Sequence, residues 1–145
     1  MLKSIMKLLS NDFKHNQLMD KKFSYRTQNV SPHLKWEDVP AGTKSYALMC
    51  NDPDGGNWIH WFIVNIPANL NEIPQGGPVP GEELENDFGE ASYGGPSPPS
   101  GTHRYVFKIY ALKTENLKGV NKSSFNNKMK ENAIATAEII GLFKK

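Results

Sequence analysis

The sequence predicts a mainly β, mostly antiparallel domain with one or two short helices. Three observations point there. Short stretches rich in β-branched and aromatic residues recur along the chain, polar breaks or prolines bound them, and helical spacing shows only near the C-terminus. At 145 residues, positions 1–145 read as one domain, long enough to bury well over half of its unfolded surface.

The elements follow in order. Met1–Leu9 begins like a signal peptide, but Lys7 breaks the apolar stretch and no small-residue cleavage site precedes Asn11, so a cytoplasmic protein is expected. Met6 opens the chain equally well, which makes residues 1–6 an expected N-terminal extension. Lys44–Cys50 reads as a strand running into a polar break at Asn51. His60–Ile66 reads as a second strand stopping at Pro67, and a period of two puts His60 on one face with Phe62 and Val64. Between Gly76 and Gly101 lie seven of the twelve glycines and five of the ten prolines, a composition that demands a long turn-rich loop; Phe88 and Tyr93 inside it argue for order. His103–Ala111 alternates, with His103, Tyr105, Phe107 and Ile109 on one face and Arg104 on the other. Ser124 is placed to cap a helix bearing Phe125 and Met129 one turn apart, whereas the run after Asn132 fits a helix face or a strand equally well.

Composition excludes several classes of function. Seventeen Lys and Arg against fifteen Asp and Glu leave a net charge of +2, scattered along the chain, which gives no footprint for nucleic acid or an anionic membrane surface. The lone Cys50 rules out an internal disulfide framework and a cysteine-based zinc site. The apolar runs are too short to span a bilayer.

Four clusters carry chemistry. Asp52-Pro-Asp54 follows a strand directly, and the prolyl ring fixes the geometry in which its two carboxylates leave; the plainer reading is an Asx-type turn. His60 is a strand histidine with apolar neighbours, a setting that also suits a core residue with one satisfied nitrogen. His103 and Tyr105 share a strand face. The stretch from Tyr93 to Gly101 pairs two glycines, which permit close backbone approach, with three stiffening prolines. If the strands are neighbours, these carboxylates, imidazoles and phenol line one small cavity. An anion settles beside two ionised aspartates only with compensation, from a protonated histidine or carboxyl and from backbone N–H groups, so affinity should depend on pH.

Assembled, these residues resemble the phosphatidylethanolamine-binding protein family, in particular its small bacterial-type, Raf-kinase-inhibitor-like members. Ser31-Pro-His-Leu-Lys-Trp36 matches the family's early Ser-Pro-x-Leu-x-Trp, and Asp52-Pro-Asp54 with His60-Trp61 forms its first signature. Asn86-Asp-Phe-Gly89, Tyr93-Gly-Gly-Pro96 and His103-Arg-Tyr105 form its second, and the likeness runs from near Lys7 over nearly the whole chain. The resemblance implies a sandwich of antiparallel sheets with an anion pocket at one end, for phosphate, phosphorylethanolamine or similar groups. Carried over by motif, the pocket residues are Asp52, Asp54, His60, His103 and Tyr105, with Gly95 and Pro96 on the rim and Trp58 near the mouth. Arg104 is expected to pair with a carboxylate on the other face. Family members often continue the late segment as a helix followed by a strand, which favours a strand over about Ala133–Ile140.

The function expected is therefore non-enzymatic binding of a small phosphorylated or carboxylated anion, with no cofactor, no metal and no catalytic residue. The family label extends it to modulation of kinase signalling. A protein-inhibitor role against a kinase or protease, acting through the protein's surface, is the alternative. A hydrolase using His60 and His103 as acid and base with Asp52 as orienter comes behind both, because no serine or cysteine stands in a nucleophile elbow. Bacterial-type members are often homodimers, with the Trp61 strand as a contributor.

Overall fold

The computed structural model describes residues 5–145. Its elements are β1 (Lys7–Leu9), β2 (Gln17–Leu18), β3 (Leu34–Glu37), β4 (Ser45–Asp52), β5 (Trp58–Pro67), β6 (Glu72–Ile73), β7 (Glu82–Glu83), β8 (Thr102–Leu112), α1 (Phe125–Asn132) and β9 (Ala133–Lys144). They form a three-stranded sheet in the order β1-β3-β6 and a six-stranded sheet in the order β2-β9-β8-β4-β5-β7. The pairing is antiparallel except where the two-residue β2 runs parallel to β9. Of the expected N-terminal extension, residues 1–4 lie outside the described residues; Ile5 is exposed and Met6 is buried in the core.

Each sheet presents alternate residues to the other, and this alternation makes the main core. Leu8, Leu34, Trp36 and Ile73 of the small sheet meet Leu48, Ile63, Phe107 and Ile109 of the large one. Each such side chain, taken fully out of water, is worth roughly 1.5–3 kcal/mol. The opposite face of the large sheet is covered by α1, whose Phe125 packs on Phe62 with ring centroids 4.7 Å apart, while Met129 joins the same cluster. α1 begins after Ser124 as the sequence predicts, although the Ser124 side chain makes no capping bond to it. The following strand runs longer than expected, to Lys144. Among the described residues no helix is long and apolar enough to cross a membrane.

One expectation fails for a physical reason. Along β5 the ladder to β4 passes from Cys50↔Trp61 to Asn51↔Ile59, so His60 is an extra residue in a β-bulge. Phe62 and Val64 face the helix side, and Ile59 packs there too, whereas Trp61 lies in the main core. The bulge breaks the period of two and leaves the His60 ring against Tyr105, centroids 5.1 Å apart, on the main-core side of the sheet. His60 thus does not share a face with Phe62 and Val64.

The loop between β5 and β8 is ordered by what it touches. β7 pairs with Ile63 and Val64, and the N–H groups of Leu84, Asp87 and Gly94 bond to the carbonyls of Phe62, Ile59 and His60. The outer edge of β5 is thereby occupied along most of its length.

Candidate functional site

Antiparallel pairing gathers the reactive side chains at one end of the large sheet. Asp52 ends β4 opposite Trp58 at the start of β5, while Asn51 pairs with Val106, which sets the opening of β8 alongside. Residues at strand ends that are distant in sequence therefore surround one cavity of ≈ 550 Å³. Its lining includes Asp52, Asp54, Trp58, His60, His103 and Tyr105, and this volume suits a small molecule.

Asp52 is both the turn residue and a cavity residue. It caps the 3-10 turn Pro53–Gly55, its Oδ1 accepting the amides of Asp54 and Gly55, each at 2.9 Å. Its Oδ2 accepts from His103 Nδ1 at 2.7 Å. The chain then reverses through Gly56 at φ +71°, a conformation that glycine adopts without strain. Because Nδ1 of His103 faces a carboxylate, the remaining nitrogen Nε2 is the one left for a ligand.

His60 is oriented from behind in the same way. Its Nδ1 donates to the carbonyls of Gly94 at 2.6 Å and Gly95 at 3.1 Å, which can only accept, so Nε2 is its free polar atom. Burial holds the His60 pKa below its ordinary value, against the opposing pull of those carbonyls and of the Asp52 charge. Tyr105 lies beside it, almost wholly buried. Its hydroxyl has no hydrogen-bond partner, although Asp52 and the Ser97 backbone are near it, and burial with the Asp52 charge pushes the phenol pKa well up. The cavity wall thus holds a neutral phenol.

The second carboxylate is neutralised. Arg104 grips Asp54 with Nη2 on Oδ1 at 2.9 Å and Nε on Oδ2 at 3.1 Å, and its backbone N–H adds a bond of 2.8 Å to Oδ2. Arg104 and its amide hold the Asp54 carboxyl down to a pKa of about 2. Arg104 pairs as expected, but its partner is Asp54 at the cavity rather than a carboxylate on the far face.

Gly95 and Pro96 stand behind the wall and not among the lining residues. A Cβ on Gly95 would lie 1.8 Å from the Phe23 carbonyl oxygen, and the Gly95 N–H bonds to Asn29 Oδ1 at 2.8 Å. The Pro96 carbonyl accepts Ser24 Oγ at 2.7 Å and Tyr25 N at 3.1 Å. These two residues fasten the glycine loop to residues 23–29 and so aim the carbonyls that hold His60.

The same fastening brings in residues that sequence reasoning missed. Arg26 reaches the mouth, its Nε donating to Ser97 Oγ at 2.7 Å. No local periodicity marks residues 23–29, so nothing in the sequence places Arg26 there. Phe88 also lines the cavity, stacked on Tyr25 at 4.1 Å and 7° and edge-on to Trp58 and His60. Trp58, 42% exposed, stands at the opening, where its motif position implies.

The chain is similar to known proteins over nearly its whole length. The sequence model described as phosphatidylethanolamine-binding protein matches residues 9–144. The UPF0098 protein of Aquifex aeolicus is 39% identical over 154 residues, spanning 98% of this chain and 90% of that protein. The UPF0098 protein YbhB of Escherichia coli is 38% identical over 157 residues, spanning 95% of this chain and 99% of its own. The crystal structure of E. coli YbcL, described as a new member of the mammalian PEBP family, superposes with a TM-score of 0.90 at 34% identity, covering 97% of this chain and 98% of its own. A putative homologue from Chlamydia trachomatis also gives 0.90 at 34% identity, covering 99% of each chain.

Proposed function

Because this chain belongs to the phosphatidylethanolamine-binding protein family, we propose that it is a non-enzymatic binding protein whose cavity takes a small anion of the phosphate or phosphorylethanolamine type. One observation carries the reading: the Tyr105 hydroxyl is buried without a partner in a cavity whose two carboxylates are already satisfied, Asp52 by His103 and two amides and Asp54 by Arg104. A buried donor left unmade costs free energy until something accepts from it. An anion is that acceptor, with Arg26 supplying charge at the mouth.

The histidines set the proton requirement. A neutral His60 presents the lone pair of Nε2, which repels an anion, so the ligand enters with a proton or His60 takes one up. Binding is therefore stronger on the acid side of neutrality. An amide-resolved NMR titration with phosphorylethanolamine at about pH 5.5 and pH 7.5 brackets the unperturbed histidine pKa. Saturable shifts at residues 52–60 and 94–105, tighter at the lower pH, are the expected result; no shift at millimolar ligand overturns the reading.

Kinase or protease modulation enters through the same cavity, a partner's phosphate or carboxylate occupying it. A complex of that kind is abolished by His103→Ala, and one that survives the change uses another surface. The Asp52–His103 pair also has the form of an oriented base, the one observation favouring a hydrolase. Turnover of a phosphate or acyl ester that His103→Ala removes would replace the binding reading. Homodimerisation belongs to the proposal as well. The Trp61 side chain and most of the β5 edge are occupied within the chain, so the dimer uses a different face, and light scattering at graded concentration tests it.

A further inference from the structure

A second cavity, of ≈ 540 Å³, adjoins the first and shares Arg26, Ser97 and Pro99 with it. Lys21, Arg26, Lys144 and Lys145 line it and no aspartate or glutamate does, although the α-carboxylate that Lys145 carries in this structure offsets one of the four charges. None of the four cations forms an ion pair among the described residues. In a chain of seventeen basic and fifteen acidic residues, whose charges otherwise intermingle, such a lining is a local excess of one sign.

Hydrogen-bonded backbone anchors the residues that carry these cations. Lys21 opens a 3-10 turn that Asp20 caps through the amide of Lys22. Arg26 is fixed by its bond to Ser97 on the glycine-proline loop. Lys144 pairs with Thr102 at the end of β9, and the Lys145 N–H bonds to the Gly101 carbonyl at 2.9 Å. The sheet end that positions His103 therefore also carries Lys144 and Lys145, and Arg26 stands on the boundary between the two cavities.

We infer that the basic cavity is a second anion subsite, and that the preferred ligand is a small molecule with two phosphate-type groups on a short spacer, one group in each cavity and Arg26 between them. The inference rests on the anion reading of the first cavity and extends it from a single headgroup to a bis-anion. Tethering turns the second contact into an intramolecular one, so affinity gains without any new chemistry. The gain is electrostatic and must weaken with salt, because partly exposed charges are screened over a Debye length of about 8 Å at physiological ionic strength.

The test compares alkanediphosphonates of increasing spacer length with alkylphosphonates of matching length, by calorimetry and amide shifts. At the best spacer the diphosphonate is expected to bind about tenfold tighter than its monophosphonate, the gain of one close, partly screened charge contact. Its affinity should fall more steeply with salt. Lys21→Gln with Lys144→Gln removes that gain and leaves monophosphonate affinity and urea unfolding as they were. A monophosphonate that shifts His60, His103 and Tyr105, with no diphosphonate tighter at any spacer, overturns the inference and leaves the first-cavity reading standing. A gain that survives the double substitution overturns it equally. Binding that depends on the lysines but never shifts the first cavity overturns both readings together.

Discussion

Nδ1 of His103 lies 2.7 Å from Oδ2 of Asp52, while Oδ1 of the same carboxylate accepts two backbone amides of the turn that follows it. One side chain thus ends a strand, shapes a turn and orients an imidazole, so the Asx-turn reading of Asp52-Pro-Asp54 holds without competing with a place at the cavity.

Two substitutions at this position separate those roles. Asp52→Asn keeps an oxygen for the turn amides but loses the charge facing His103, and should cost about 1 kcal/mol. Asp52→Ala removes the cap as well and leaves a half-buried imidazole N–H unpaired, for about 2–4 kcal/mol. Urea unfolding of the two variants beside the native protein measures the gap; equal losses would mean that the turn bonds contribute nothing.

Tyr105→Phe moves stability and affinity in opposite directions. The hydroxyl has no partner in the free protein, so its removal should leave stability unchanged or raise it by up to about 1 kcal/mol. The same change removes a charge-assisted donor to the bound anion and should weaken phosphorylethanolamine about tenfold or more. Thermal unfolding and calorimetry on one preparation read both signs.

The buried His60 makes stability depend on pH. Its folded pKa lies below the unfolded value, so on acidification the unfolded chain takes up the proton first. Its contribution is fully present above the unfolded pKa of about 6.5 and is lost as pH falls through the lower folded pKa. The denaturation midpoint should therefore decline as the pH falls below about 6.5. His60→Gln, which keeps a donor for the glycine carbonyls, should flatten that decline.

Arg104 acts on the ligand through Asp54. Arg104→Gln releases a carboxylate at the cavity and should weaken phosphorylethanolamine by about fivefold, the effect of one unpaired like charge in a hydrated setting. Asp54→Asn in the same chain should restore affinity. Failure of that rescue would mean that Arg104 itself touches the ligand.

Gly95 tolerates no side chain. A Cβ there would overlap the Phe23 carbonyl, so Gly95→Ala should cost about 2–4 kcal/mol, by urea unfolding, and shift the His60 ring resonances by moving the carbonyl that holds it.

β4, β5, β8, the ordered loop and α1 were legible in the sequence because each rests on local pattern: alternation, turn residues, spacing; β9 was favoured over a helix only by the family resemblance. Asp52, Asp54, His60, His103 and Tyr105 were legible as a group because all sit at strand ends beside glycine and proline. The direction of the His60 ring was not, since a bulge shows only in the register against Cys50 and Asn51, a partnership between strands. Arg26 was invisible for the same reason. Its place depends on bonds from Ser24, Tyr25 and Asn29 to a loop about seventy residues away in sequence. Gly95 and Pro96 were found by motif but acquire their role, bracing rather than lining, only from what stands behind them.

The loop that shapes the mouth has a further duty toward solubility. β5 is an apolar ribbon, Trp61 to Val64, and without β7 and the amides of Leu84, Asp87 and Gly94 its outer edge would be an open template for another molecule's strand. Any change that loosens the loop to admit a larger ligand therefore also uncovers a nucleus for edge-to-edge aggregation. In this protein the breadth of ligand choice and colloidal stability are held by the same stretch of chain, and widening the first should erode the second.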